Sequence, residues 1–159
     1  MWRSFIFKPK KSTSKFIHVM RLIYFFALAL TIPACSSSIR IEDEKNVAVV
    51  KSMFEAFNRH DWDAMTKHYA DSAAFLDPAY GIAYVVQSHA DIAQKYSELA
   101  AMFPDVRDDI VGIYPSTDKV VVEFISSGKN DSVTFSLPIS CILTLKDGKI
   151  IRDATYYDL

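Results

Sequence analysis

The sequence predicts an α+β domain in which three N-terminal helices pack in a curved antiparallel sheet and enclose an apolar cone. Apolar residues recur at helical spacing up to Phe103. Period-two alternation takes over after Pro104, and turn signals divide it into four strands. From Cys35 to Leu159 the chain has the length of one domain with one core.

Val47, Val50, Phe54 and Phe57 predict an amphipathic helix over about 44–58. Asn58-Arg59-His60 breaks it. Asp61 then caps a short second helix running to about Tyr69, with Trp62, Met65 and Tyr69 on one face. Ala73–Asp77 reads as a short strand stopped by Pro78, and residues 78–88 read as irregular, punctuated by Pro78 and Gly81. Ser88 caps a third helix with Asp91 near its positive end; Ile92, Tyr96, Leu99 and Phe103 form its stripe and Pro104 ends it. Strands follow at about 106–114, 119–127, 132–145 and 149–157, joined by turns at 115–118, 128–131 and 146–148.

Ahead of this domain, Met20–Cys35 carries Arg21, the apolar run Leu22–Ile32 and then Ala34-Cys35, the order of an export signal. An eleven-residue run rises about 16 Å as a helix, roughly half a hydrocarbon core, which argues against a resident spanning helix. Ala34-Cys35 resembles the bacterial lipobox, and the resemblance implies lipidation at Cys35. Residues 1–34 are then a signal peptide, 35–43 a lipidated cysteine and polar tether, and 44–159 the working domain. Met20 begins a complete signal and is a second candidate start. Ser36, not aspartate, follows the cysteine, and the resemblance implies anchoring to the outer membrane, facing the periplasm. Without lipidation the same leader implies secretion.

All 19 acidic residues and 12 of the 18 basic ones lie after Cys35, so the processed chain carries a net charge of −7. That sign argues against nucleic acid or an anionic lipid surface as a partner. Cys141 has no second cysteine to form a disulfide or a metal motif once Cys35 is lipidated, and reads as a small core or interface hydrophobe. The histidines lack metal-ligand spacing and no glycine-rich phosphate loop is present, so neither metal nor cofactor is expected.

Several motifs resemble the nuclear transport factor 2-like superfamily, and within it the SnoaL-like branch. Phe54-Glu55-Ala56-Phe57-Asn58-Arg59-His60-Asp61 is similar to its first-helix signature, and Phe75-Leu76-Asp77-Pro78 to its first strand and turn. Phe103-Pro104-Asp105 resembles the end of its third helix. Asp147-Gly148-Lys149-Ile150 with Tyr156-Tyr157-Asp158 resembles its last hairpin. The resemblance spans residues 44–158 and implies a cone-shaped, cystatin-like α+β barrel related to ketosteroid isomerases and polyketide cyclases. A fold shared by so many chemistries does not fix the activity.

The same resemblance implies Asp77 as a general base, its pKa raised by an apolar surrounding; Asp77 also reads as a cap of the turn into Pro78. Phe54 stands where the isomerases carry a tyrosine and Ser140 where they carry a second acid, so their oxyanion donors are not reproduced. Thr155 stands where cyclases and epoxide hydrolases carry an acid. Asp153 shares its strand face with Thr155 and Tyr157, and reads either as a cavity group or as a solvated acid at the rim. Asn58, from the helix signature, joins this candidate binding set. Tyr80, Tyr84 and His89 sit in or beside the loop over the cone mouth.

Along 132–145, Phe135, Leu137, Ile139, Cys141, Leu143 and Leu145 share one face. With Ser140 pointing into the cone, that apolar face is external and predicts a homodimer; with the register shifted by one it is the core. Three readings follow. The domain is an acid–base enzyme acting at Asp77 on a small hydrophobic molecule, a binding domain for such a molecule, or an envelope interaction module whose cone is filled by its own side chains.

Overall fold

The computed structural model describes residues 34–158. The signal peptide, the start at Met20 and the side chain of Cys35 lie outside the described residues. Among the described residues no helix is long and apolar enough to cross a membrane.

Helix α1 spans Ala34–Asn58. It begins ahead of the predicted start near Glu44, so the segment read as a tether is helical. Contacts distant in sequence hold this early part. Asp43 Oδ1 accepts the Thr117 N–H at 2.9 Å, and the buried Asn46 donates Nδ2–H to the Thr117 carbonyl at 2.9 Å. Farther along, Val50, Met53, Phe54 and Phe57 form the buried stripe. His60, with φ of 55°, makes the turn, and α2 covers Trp62–Thr66 with Asp61 accepting from the Ala64 N–H at 3.0 Å.

Strand β1 is Tyr69–Leu76, longer than predicted at its start, and a 3₁₀ turn covers Pro78–Tyr80. Strand β2, Val85–Ser88, lies within the segment predicted as irregular. Four residues are too few to show a period, and pairing with β1 is what orders them. Helix α3, His89–Met102, starts from a reciprocal capping box between Ser88 and Asp91. Strands β3 (Arg107–Ser116), β4 (Lys119–Lys129), β5 (Thr134–Lys146) and β6 (Lys149–Tyr156) complete the chain. Asp147 and Gly148 both have positive φ (52° and 73°), as a tight two-residue hairpin between β5 and β6 requires.

The six strands form one curved, unclosed sheet in the order β2-β1-β6-β5-β4-β3. The α+β class is as predicted, but the sheet is mixed. The pair β1–β6 is parallel, because the last strand returns beside the first after an antiparallel meander. Cys141, Leu143 and Leu145 are buried on the core side of β5, with Phe135 and Ile139 packed against the same core. The apolar face of β5 is therefore the inside of the cone. Ser140 alternates to the outside, and the stated ground for a homodimer through that face disappears.

Candidate functional site

Between the helices and the concave face of the sheet lies a cavity of about 40 Å³. Met53, Phe54 and Phe57 of α1, Met65 of α2 and Tyr96 of α3 line it on one side. Tyr69, Asp108, Phe124, Cys141, Asp153 and Thr155 line it from the sheet. At about 10–15 Å³ per enclosed water, the space holds about three waters. Phe54 meets Phe124 edge to face at 5.0 Å, and Phe57 meets Tyr96 the same way at 5.4 Å. Among the described residues no group of three or more His, Cys, Asp or Glu side chains is disposed to hold a metal ion.

Two carboxylates enter this apolar space. Asp153 is buried in β6, where Tyr69 donates its hydroxyl to Oδ2 at 2.9 Å and Thr155 donates to Oδ1 at 3.0 Å. Burial pushes its pKa up more than these hydrogen bonds pull it down. Tyr69 is itself pushed well above the usual phenol value by burial and by the charge of Asp153. The reading of Asp153 as a solvated rim acid is thus replaced by a buried one.

Asp108 is the second carboxylate, and nothing in the sequence analysis singled it out. The end of α1 clamps its backbone: Asn58 Oδ1 accepts the Asp108 N–H, and Asn58 Nδ2 donates to the Asp108 carbonyl, both at 2.8 Å. Its side chain takes a hydrogen bond from Ser126, while Oδ1 is buried with no partner. Burial pushes the carboxyl up to about 7, against the Ser126 bond and with a smaller push from Asp109. The doublet Asp108-Asp109 hides which member faces inward. Only the pairing of Asp108 with the buried Ser126 on β4 tells.

Asp77 does not line the cavity. It is buried at the end of β1, and Oδ1 accepts the Ala79 N–H at 2.8 Å and the Tyr157 hydroxyl at 2.9 Å. Oδ2 forms an ion pair with Lys95. Burial pushes its pKa up, but the Lys95 bond and charge, with the other two donors, outweigh this and hold it below the usual carboxylate value. The expected rise is therefore reversed, by a lysine of α3 that the sequence analysis passed over. Tyr157 is pushed up to about 12 by burial and by its bond to Asp77. The Lys95 ammonium lies 4.9 Å from the Tyr80 ring centre and 5.1 Å from that of Tyr96.

The predicted residues thus divide. Phe54, Asp153 and Thr155 line the cavity, Asn58 holds Asp108, and Asp77, Tyr80 and Tyr157 meet around Lys95. Tyr84 is exposed, with Arg152 over its ring at 4.9 Å. Ser140 lines a groove on the outer sheet face beside Pro138 and Tyr156. His89 Nε2 lies 3.1 Å from the Tyr69 carbonyl.

A family model for the SnoaL-like domain matches residues 50–153. Solved structures share the fold at low identity. A protein of ketosteroid isomerase-like fold from Catenulispora acidiphila, in complex with trimethylamine, is 21% identical with a TM-score of 0.62, over 70% of this chain and 85% of that one. A candidate polyketide cyclase from Streptomyces antibioticus is 19% identical with a TM-score of 0.62, over 71% and 91%. A cystatin-fold protein from Novosphingobium aromaticivorans is 16% identical with a TM-score of 0.62, over 70% and 97%. No curated protein matches the chain.

Proposed function

The chain belongs to the SnoaL-like domain family, and from that premise we propose that its aromatic interior receives a small hydrophobic molecule and moves a proton at Asp108. The observation that carries this reading is the buried Oδ1 of Asp108, which has no partner at the wall of the cavity. A carboxyl group with a free lone pair and a pKa near neutrality is suited to accept or return a proton there. Asp77, the general base expected from the sequence, has both oxygens engaged and is held ionised, so it supports the mouth of the cone through Lys95 and Tyr157. The leader adds the proposal that the domain works outside the cytoplasm, on a lipid anchor at Cys35.

A ligand larger than a few heavy atoms has to displace lining side chains. Met53 and Met65 are the adaptable ones. The test is a thermal-shift and turnover screen of the purified protein against steroids, polyketide-like aromatics, terpenoid epoxides and lipids. A ligand at about 100 times its Kd adds about 2.7 kcal/mol, several degrees for a domain of this size. Asp108→Asn is expected to abolish turnover and keep the fold. Turnover that survives Asp108→Asn and is lost in Asp77→Asn returns the base to Asp77. The small cavity favours a second reading, a filled cone acting as an interaction module, and a well-folded protein that answers no compound supports that one.

A further inference from the structure

We propose that the ligand of the interior site is a small organic cation, a tertiary or quaternary alkylammonium; this rests on the reading of the cavity as a ligand site. The wall combines five aromatic side chains, Phe54, Phe57, Tyr69, Tyr96 and Phe124, with the partnerless Oδ1 of Asp108. Aromatic rings attract an alkylammonium electrostatically, and a desolvated carboxylate supplies its counter-charge.

The alternatives fit less well. No Lys, Arg or His lines the cavity. Lys95, whose charge reaches Asp153, is ion-paired with Asp77. An anion would therefore face two carboxyl groups with no cation beside it. A neutral carbonyl compound would meet few donors, because the Tyr69 and Thr155 hydroxyls both donate to Asp153 already, which leaves the Tyr96 hydroxyl and the proton of Asp108. The space of about 40 Å³ suits a group the size of a trimethylammonium head after small side-chain shifts. A tertiary amine entering neutral takes the proton of the Asp108 carboxyl, giving ammonium and carboxylate with no other reactant. A quaternary cation binds after Asp108 has released its proton to water.

The purified protein titrated with tetramethylammonium, trimethylamine and the neutral, similarly sized tert-butanol tests this by calorimetry. Saturable binding of tetramethylammonium and of trimethylamine is expected, with tert-butanol at least about tenfold weaker. Asp108→Asn is expected to weaken tetramethylammonium at least about tenfold, by removing a charged partner. As a readout independent of any variant, tetramethylammonium affinity should rise as the pH passes upward through about 7, because that ligand carries no proton and Asp108 does. The groups facing Asp108 are Asp109 on its own strand, Ser126 of β4, Tyr96 of α3, Cys141 of β5 and, across the cavity, Asp153 of β6. Tyr96 and Cys141 titrate well above this window.

Equal binding of tert-butanol, or tetramethylammonium affinity indifferent to both pH and Asp108→Asn, overturns the cation and leaves the ligand site standing. If no cation binds while a neutral compound of the larger screen does, the cation is again overturned alone. Failure of cations and neutral compounds alike overturns both readings.

Discussion

Asn58 and Asp108 are fifty positions apart, yet the Asn58 carboxamide closes on the Asp108 backbone with two hydrogen bonds of 2.8 Å, one to its N–H and one from its amide to the carbonyl. The last residue of α1 thereby fixes where β3 begins, and with it the direction of the carboxyl group in the cavity wall. Asn58→Ala removes both bonds. It is expected to lower stability by about 1–2 kcal/mol in urea denaturation and to loosen Asp108. Asn58→Asp keeps an acceptor for the N–H and loses the donor, so a smaller loss is expected. If Asn58→Ala leaves both stability and ligand affinity unchanged, the clamp has no positioning role.

Asp108 makes stability depend on pH with a defined sign. Its folded pKa, about 7, lies above the unfolded carboxylate value, so between about pH 4 and 7 the folded state holds a proton that the unfolded state has released. Its stabilisation is present at the acid end of that window and falls as pH rises, by roughly 4 kcal/mol in all. Asp108→Asn cannot ionise. Relative to the parent protein it should gain stability steadily from pH 4 to 7.5, and a flat difference would refute the buried-carboxyl assignment.

Asp77 has the opposite sign. Its folded pKa lies below the usual value, so the Lys95 pair stabilises the protein above about pH 4 and ceases to do so as pH falls through the folded pKa. Asp77→Asn is expected to cost about 1–3 kcal/mol at pH 7, with the difference from the parent protein shrinking in acid. Melting curves at several pH values read it directly.

Tyr69→Phe removes the hydroxyl that donates to buried Asp153 and leaves that oxygen without its partner. A loss of about 1–3 kcal/mol is expected, with the pKa of Asp153 moving further up. Carboxyl NMR shifts report the second effect separately from the first.

The register of β5 is open to a paired test. Leu143→Ala, on the core side, is expected to cost about 2–5 kcal/mol. Ser140→Ala, on the outer face, should stay within about 0.5 kcal/mol. Reversed magnitudes would restore the register that places Ser140 inside the cone.

Much of the architecture is local and was readable as such. The Val50–Phe57 stripe, Asp61 and Ser88 as caps, and the Asp147-Gly148 hairpin all act over a few residues. What escaped depends on partners far away in sequence. Residues 85–88 become a strand only beside β1, and the parallel β1–β6 pair has no local trace. The same holds at the site. Phe54, Asp153 and Thr155 lie on periodic faces, so they could be found. Asp108 sits in an acidic doublet whose inward member is set by β4, and Lys95 looks solvent-facing until Asp77 is brought to it. Of the two registers open for β5, the structure takes the one that puts Cys141, Leu143 and Leu145 inside and Ser140 outside, a one-residue difference that exchanges the faces.

The position of β6 in the middle of the sheet, between β1 and β5, sets an order on folding. During synthesis, or emergence from a translocation channel, the first strand waits for the last, and the bond from Tyr69 to Asp153 closes a loop of 84 positions. The helices can cover the inner face of β1 early, but no shorter chain can pair its second edge, so the backbone groups there stay open until β6 arrives. The pairing that joins the first strand to the last is therefore the longest-range closure of the sheet, and it makes folding slower than that of the local β3–β6 meander alone would be.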